Sequence, residues 1–287
     1  MTSAALEAEL YALTHRGTPG DLEFYTRVCH GAAAVLELGC GYGRLLHALA
    51  QRGRRVLGLD SNRELLALAK RNLRALPKAR QRGVELVNAD MTRFEFAPGF
   101  DRVLLPYNGL YCLLGRRAAL ACFRAARAAL APNGLFVFDV WNAHAFHRDR
   151  AIASSADASE PIVTIQHAGR VWDVFERSRT RRRAQRLDVT YDYLPRGGGK
   201  PCQIVIPQRY YLEPELTELL ARAGLVAHHR FGDFSGARFS ARAEHLIVVA
   251  GLDRTTQRAL GKGPGMAKLV DDRSRGARLA RRILAGM

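Results

Sequence analysis

Apolar residues mark out the chain before anything else does. Leu6, Leu10 and Leu13 recur at helical spacing within residues 3–30. Thr18-Pro19-Gly20-Asp21 breaks that pattern. Asp21 is placed to cap a second helix carrying Phe24, Tyr25 and Val28. A short apolar run at 33–38 then gives way to glycines and to a helical pattern with Leu45, Leu46 and Leu49. Further apolar runs follow at 55–59, 84–87, 100–105 and 135–140, with amphipathic helical stretches at 63–73 and 116–130. Short buried strands alternating with helices predict an α/β chain built on a parallel sheet. Between 148 and 207 the period drops to two, as in Val171-Trp172-Asp173-Val174-Phe175 and Leu187-Asp188-Val189-Thr190-Tyr191. That alternation predicts antiparallel strands inserted after the fifth core strand. A helix at 214–223 and strands at 225–231 and 243–250 complete the sheet.

The turn after the first strand carries the chemistry. It reads Glu37-Leu38-Gly39-Cys40-Gly41-Tyr42-Gly43-Arg44. Glycines at alternate positions let the backbone turn sharply and approach a ligand closely. The helix that follows aims free N–H groups at a negative group. Such a site suits a nucleotide-like or amino-acid-like cofactor. The spacing differs from the GxGxxG dinucleotide fingerprint. With an acid two residues before the first glycine, it resembles the E/DxGxGxG turn of the class I S-adenosylmethionine (SAM)-dependent methyltransferases.

The resemblance spans about residues 20–250, the insert only loosely. It implies a Rossmann-like, seven-stranded, doubly wound sheet ending in an antiparallel hairpin, with SAM as cofactor and S-adenosylhomocysteine as product. It brings Glu37, Gly39, Cys40, Gly41 and Arg44 to the cofactor. Asp60, at the tip of the second strand, has the placement to accept two hydrogen bonds from ribose hydroxyls; the plainer role is a helix cap. Ser61 or Asn62 would then cap the helix 63–73. Asp90 and Met91 after the third strand match the residues that meet the adenine edge and face. The loop Pro106-Tyr107-Asn108-Gly109 follows the fourth strand, where donor and acceptor meet in open α/β sheets. It lacks the Asp/Asn-Pro-Pro-aromatic motif of DNA amino-methyltransferases and is similar to the Pro-Phe-Asn-Ser loop of small-molecule enzymes. Pro106 is assigned to the cofactor, and Tyr107 and Asn108, with Tyr111 next, to the acceptor. Tyr25 is either an aromatic over the methionine end of SAM or a packing residue. His144, with His147 second, is the candidate general base; the alternative is a structural or surface histidine.

Composition then narrows the partners. The net charge is +17, but 39 of the 44 basic residues are arginine and they are spread along the chain. A nucleic-acid partner is therefore disfavoured, and the arginine run at 179–183 reads as a solvated turn. Five scattered cysteines without a CxxC pair indicate neither a metal site nor a disulfide framework. No run is apolar and long enough for a membrane span, and residues 1–13 lack the order of a secretory signal. The expected setting is the reduced cytoplasm. Residues 1–141 and 208–251 read as the SAM-binding core with an N-terminal helical cap. Residues 142–207 read as a β lobe that covers the acceptor or makes a homodimer, and 252–287 as a basic tail. The leading expectation is methyl transfer to nitrogen or oxygen of a small-molecule acceptor. The rivals are an RNA or protein methyltransferase and a non-catalytic SAM-binding subunit.

Overall fold

The computed structural model describes residues 3–50, 54–148 and 160–253. The basic tail, from 254 onward, lies outside them. Two helices lead in: α1 (Ser3–Thr14) and α2 (Asp21–Val28). The core then runs β1 (Ala34–Leu38), α3 (Arg44–Leu49), β2 (Arg55–Asp60), α4 (Arg63–Leu73), α5 (Lys78–Gln81), β3 (Val84–Asn88), β4 (Phe100–Leu105), α6 (Arg116–Ala129) and β5 (Leu130–Trp141). After the short α7 (His144–Arg148) come β6 (Val163–His167), β7 (Arg170–Arg181), β8 (Arg186–Pro195) and β9 (Cys202–Arg209). The chain returns to the core through α8 (Glu213–Arg222), β10 (Leu225–Phe231) and β11 (His245–Leu252).

The core sheet has seven strands in the order β10-β11-β5-β4-β1-β2-β3. The five strands β1–β5 pair in parallel, and β11 inserts antiparallel between β5 and β10. This is the Rossmann-like doubly wound sheet expected, and its order reverses between β1 and β4 at the carboxyl edge, where ligands bind. Central strands are apolar on both faces because helices cover both; β1 and β2 are almost wholly buried. The turn predicted at Ala131-Pro132-Asn133-Gly134 is instead an irregularity within β5, since pairing with β4 jumps from Phe100–Leu130 to Arg102–Leu135. A strand tolerates proline at such a bulge.

The insert is a four-stranded antiparallel sheet, β6-β7-β8-β9. Its inner face carries Ile165, Trp172, Val174 and Tyr193, buried together with Leu10 of α1 and flanked by Leu6 and Leu13. The leucines that made α1 legible as a helix therefore dock it on the insert. Glu9 of the same helix bonds Arg71 of α4 at 2.5 Å with one oxygen, and its other lies 3.1 Å from His167 Nε2 of β6. The N-terminal cap and the insert thus form one roof, and the turn after β1 lies beneath its edge.

Candidate active site

The glycine turn sits at the carboxyl end of β1 between β2 and β4. Gly39, Gly41 and Gly43 all have positive φ (65°, 53° and 79°), a region that other residues enter only at a cost. A Cβ on Gly39 or Gly41 would meet no protein atom within 4 Å, so the turn forms an open cradle. Glu37, the penultimate residue of β1, stands beside it, only 3% exposed. Its Oε2 is buried without a hydrogen-bond partner. Burial pushes its carboxyl up to about 8; Arg44 opposes the rise, while Asp60 and Asp21 add to it. An orphaned acid beside an open turn fits a group bearing an N–H or ammonium donor. Cys40 contributes backbone only: its N–H donates to Leu59 O, and its Sγ packs against Gly58, where a Cβ would lie 2.9 Å away.

Asp60 stands across the turn, its Oδ2 accepting from Gly41 N at 2.8 Å and its Oδ1 from Asn62 N at 2.8 Å. Burial raises its carboxyl, and these N–H groups hold it back. Each oxygen keeps a lone pair for a further donor. The cap of α4 is Asn62, which takes Glu64 N and Leu65 N, leaving Ser61 exposed beside the acid. Asp90 accepts from Thr92 N and Oγ1 through Oδ1, both at 2.8 Å, and faces Arg93 at 3.4 Å with Oδ2. The backbone N–H of Thr92 leads in holding its carboxyl low. Met91 is half-buried against the core.

Arg44 begins α3 and makes a two-pronged bond to Asp21, at 2.8 and 2.6 Å. Asp21 is not the cap of α2; that position is Gly20, and the acid anchors the arginine instead. The guanidinium also lies 5.9 Å from the Tyr107 ring centroid. Tyr107 and Asn108 both adopt positive φ, 53° and 58°. Asp139 of β5, 1% exposed, holds this bend by accepting from Tyr107 N at 2.8 Å. Asn108 accepts from Trp141 N at 2.6 Å, so its side chain is a strap between the loop and β5. Pro106 is buried below the loop, and Tyr111 is fully buried with its hydroxyl donated to Trp141 O. Tyr25 is fully buried as well and donates to Asp139 at 2.5 Å. In this arrangement its hydroxyl supports the loop from below. His144 opens α7, its backbone N–H donated to Asn142 Oδ1 at 3.2 Å. His147 bonds Tyr210 at 3.0 Å through Nδ1.

The roof contributes residues that the linear sequence did not single out. Tyr42 of the glycine turn donates to His15 O at 2.9 Å, tying the end of α1 to the cradle. Tyr11 is half-buried; burial raises its phenol, and Cys112, Tyr107, Asp60 and Tyr42 all push the same way. His15 stacks on Tyr11 (centroids 4.1 Å apart) and meets the edges of Tyr191 at 4.6 Å and Tyr107 at 6.5 Å. Glu176 of β7 pairs in register with Tyr191 of β8, bonds it, and lies near enough to act on Tyr107. The helical and strand periods of these segments were visible, but not that α1 and the insert converge on one turn.

Comparison with known proteins agrees with this geometry. A family model described as a methyltransferase domain matches residues 35–134, from β1 into β5. The cypemycin N-terminal methyltransferase of a Streptomyces species is 25% identical over 75% of this chain and 81% of its own length. The dTDP-3-amino-3,6-dideoxy-alpha-D-glucopyranose N,N-dimethyltransferase of Streptomyces fradiae is 28% identical over 47% of this chain and 52% of its own. Among solved structures, the CcbJ methyltransferase of Streptomyces caelestis superposes with a TM-score of 0.69 at 28% identity, covering 82% of this chain and 91% of that one.

Proposed function

We propose that this chain, which its methyltransferase-domain match and its likeness to a solved methyltransferase support as a class I SAM-dependent methyltransferase, methylates the amino nitrogen of a small-molecule acceptor held under the α1–insert roof. The observation that carries the reading is the group of side chains gathered there: Tyr11, Tyr107 and Tyr191 surround His15, and Glu176 bonds Tyr191 and acts on Tyr107. Aromatic rings beside an acid suit an ammonium-bearing ligand and the amine formed from it. Of the relatives above, one is named for the N-terminus of cypemycin and the other for N,N-dimethylation of an amino sugar nucleotide.

Glu37 suits the ammonium end of SAM, Asp60 the ribose hydroxyls, and Asp90 with Met91 the adenine. Bound there, SAM supplies an electrophilic methyl group on a positive sulfonium. The chain's own work is alignment and exclusion of water. The Asp21–Arg44 pair braces the start of α3, and Asp139 fixes the bend of Tyr107 beside the acceptor chamber.

The test is a matched acceptor panel with SAM, read by mass spectrometry for gain of a methyl group. It contains dTDP-3-amino-3,6-dideoxyglucose, a peptide with a free N-terminus, and the hydroxyl counterpart of each. Methylation confined to amines is the expected result. Transfer to the hydroxyl partners, or to neither while S-adenosylhomocysteine binds, would refute the acceptor class.

A further inference from the structure

We propose that Nε2 of His15 is the general base of the reaction, taking the proton that the acceptor nitrogen loses; this rests on the amine reading above. Three observations converge on that atom. First, the tautomer is set. His15 Nδ1 lies 3.0 Å from Tyr11 O, a carbonyl that can only accept, so Nδ1 carries the hydrogen and Nε2 the lone pair. Second, the lone pair is unspent. Nε2 is buried without a partner in a residue only 8% exposed. Buried polar atoms are nearly always paired, and an exception calls for an explanation such as a ligand. Third, the ring stands where the acceptor is expected, packed among Tyr11 of α1, Tyr107 of the loop after β4, and Tyr191 of β8.

The surroundings keep the ring basic in form. The groups around it are Tyr11 on its own helix, Tyr107 with Arg44 and Asp21 behind it, Tyr191 with Glu176 bonded to it, and Tyr42 at its carbonyl. None of the carboxylates bonds the ring. Burial lowers its affinity for protons and outweighs the bond to Tyr11 O, so the imidazole is neutral near pH 7. In the reaction the bound ammonium first gives a proton to Nε2, and the lone pair so freed forms the C–N bond as the C–S bond breaks, its electron pair going to sulfur. Methylated ammonium, thioether and imidazolium remain, and the imidazolium then releases its proton to solvent. His144 and His147 sit on α7, with His147 already bonded to Tyr210.

Two measurements test the assignment. The first needs no acceptor: 15N spectra of the histidine rings in complex with S-adenosylhomocysteine and with sinefungin, an analogue carrying an amine where the transferable methyl stands. The His15 Nε2 resonance should move between the two complexes as the lone pair takes the amine's N–H. The second compares the wild-type protein with His15→Asn, which keeps a donor near Tyr11 O but has no Nε2. A loss in kcat of roughly 10²-fold or more on a methylated amine is expected, with S-adenosylhomocysteine affinity within about threefold. The wild-type loss of rate on acidification through the imidazole should vanish in the variant. No movement of Nε2 between the complexes, or a His15→Asn rate within about threefold of wild type, overturns the assignment even if amines are methylated. Movement of Nε2 with no amine methylated leaves the base in place and removes the acceptor class.

Discussion

Replacing Glu37 by glutamine should stabilise the ligand-free protein while weakening its hold on the cofactor. The carboxyl is pushed from 4.5 up to about 8 by burial. Between those values the folded state holds a proton that the unfolded chain has lost, so stability falls as pH rises through the window. At 1.36 kcal/mol per unit, the penalty is about 1 kcal/mol at pH 5, about 3 at pH 7 and about 5 above pH 8. Glu37→Gln has the same shape without the charge and escapes it. Thermal melts should therefore show the two proteins within a few degrees at pH 5. At pH 7 the variant should lead by roughly 6–12 °C, on the usual ~2–4 °C per kcal/mol for a chain of this size. Binding should run the other way. An ammonium donor stabilises the ionised carboxylate, so at pH 7 the wild-type protein should release about 0.9 proton per S-adenosylhomocysteine bound, from Glu37. Calorimetry in buffers of different ionisation enthalpy reads that number directly. The variant should release none from this group and lose roughly 10–150-fold in affinity, the range for a charged hydrogen bond. Equal melting temperatures at pH 7, or proton release unchanged in the variant, would refute the account of Glu37.

Asp60→Ala should remove the ribose acceptor and release Gly41 N and Asn62 N together; titration should find S-adenosylhomocysteine affinity lowered at least ~10-fold, the equivalent of one good hydrogen bond. Asp21→Ala strands Arg44, whose partner is 3% exposed, and denaturant unfolding should register a loss of about 3–5 kcal/mol, largely recovered by adding Arg44→Met. His15, lowered below 6.5 by burial, binds a proton more readily in the unfolded chain. Its effect is to reduce stability as pH falls below 6.5, and His15→Phe should flatten that part of the wild-type stability curve.

What the linear chain disclosed follows from how each contact is made. Strand β1, its glycine turn, Asp60 and the helix 63–73 were legible because each depends on residues near in sequence: an apolar run, a backbone that must reach positive φ, an acid at a strand tip, a capping asparagine. One departure came from a contact farther along the chain. Asp21 reads as a cap from its neighbours, and only Arg44, 23 residues away, reveals that its carboxylate serves as an anchor. The roof was illegible for a different reason. The ring of His15 has its surroundings set by Tyr107 and by Tyr191, 92 and 176 residues away, and Tyr25 has its hydroxyl settled by Asp139, 114 residues on. No periodicity encodes such pairings, because they depend on where a β insert lands on a helix that precedes the whole core. The same division bears on function. Glu37, the glycine turn and Asp60 are set by residues near in sequence. The group around His15 draws Tyr11 from α1, Tyr107 from the loop after β4 and Tyr191 from the insert, so substitutions in the insert alone can reshape it while the glycine turn stays intact. On the proposed reading of the acceptor site, exchanging β7 and β8 is the change that should redirect the acceptor without disturbing S-adenosylhomocysteine binding.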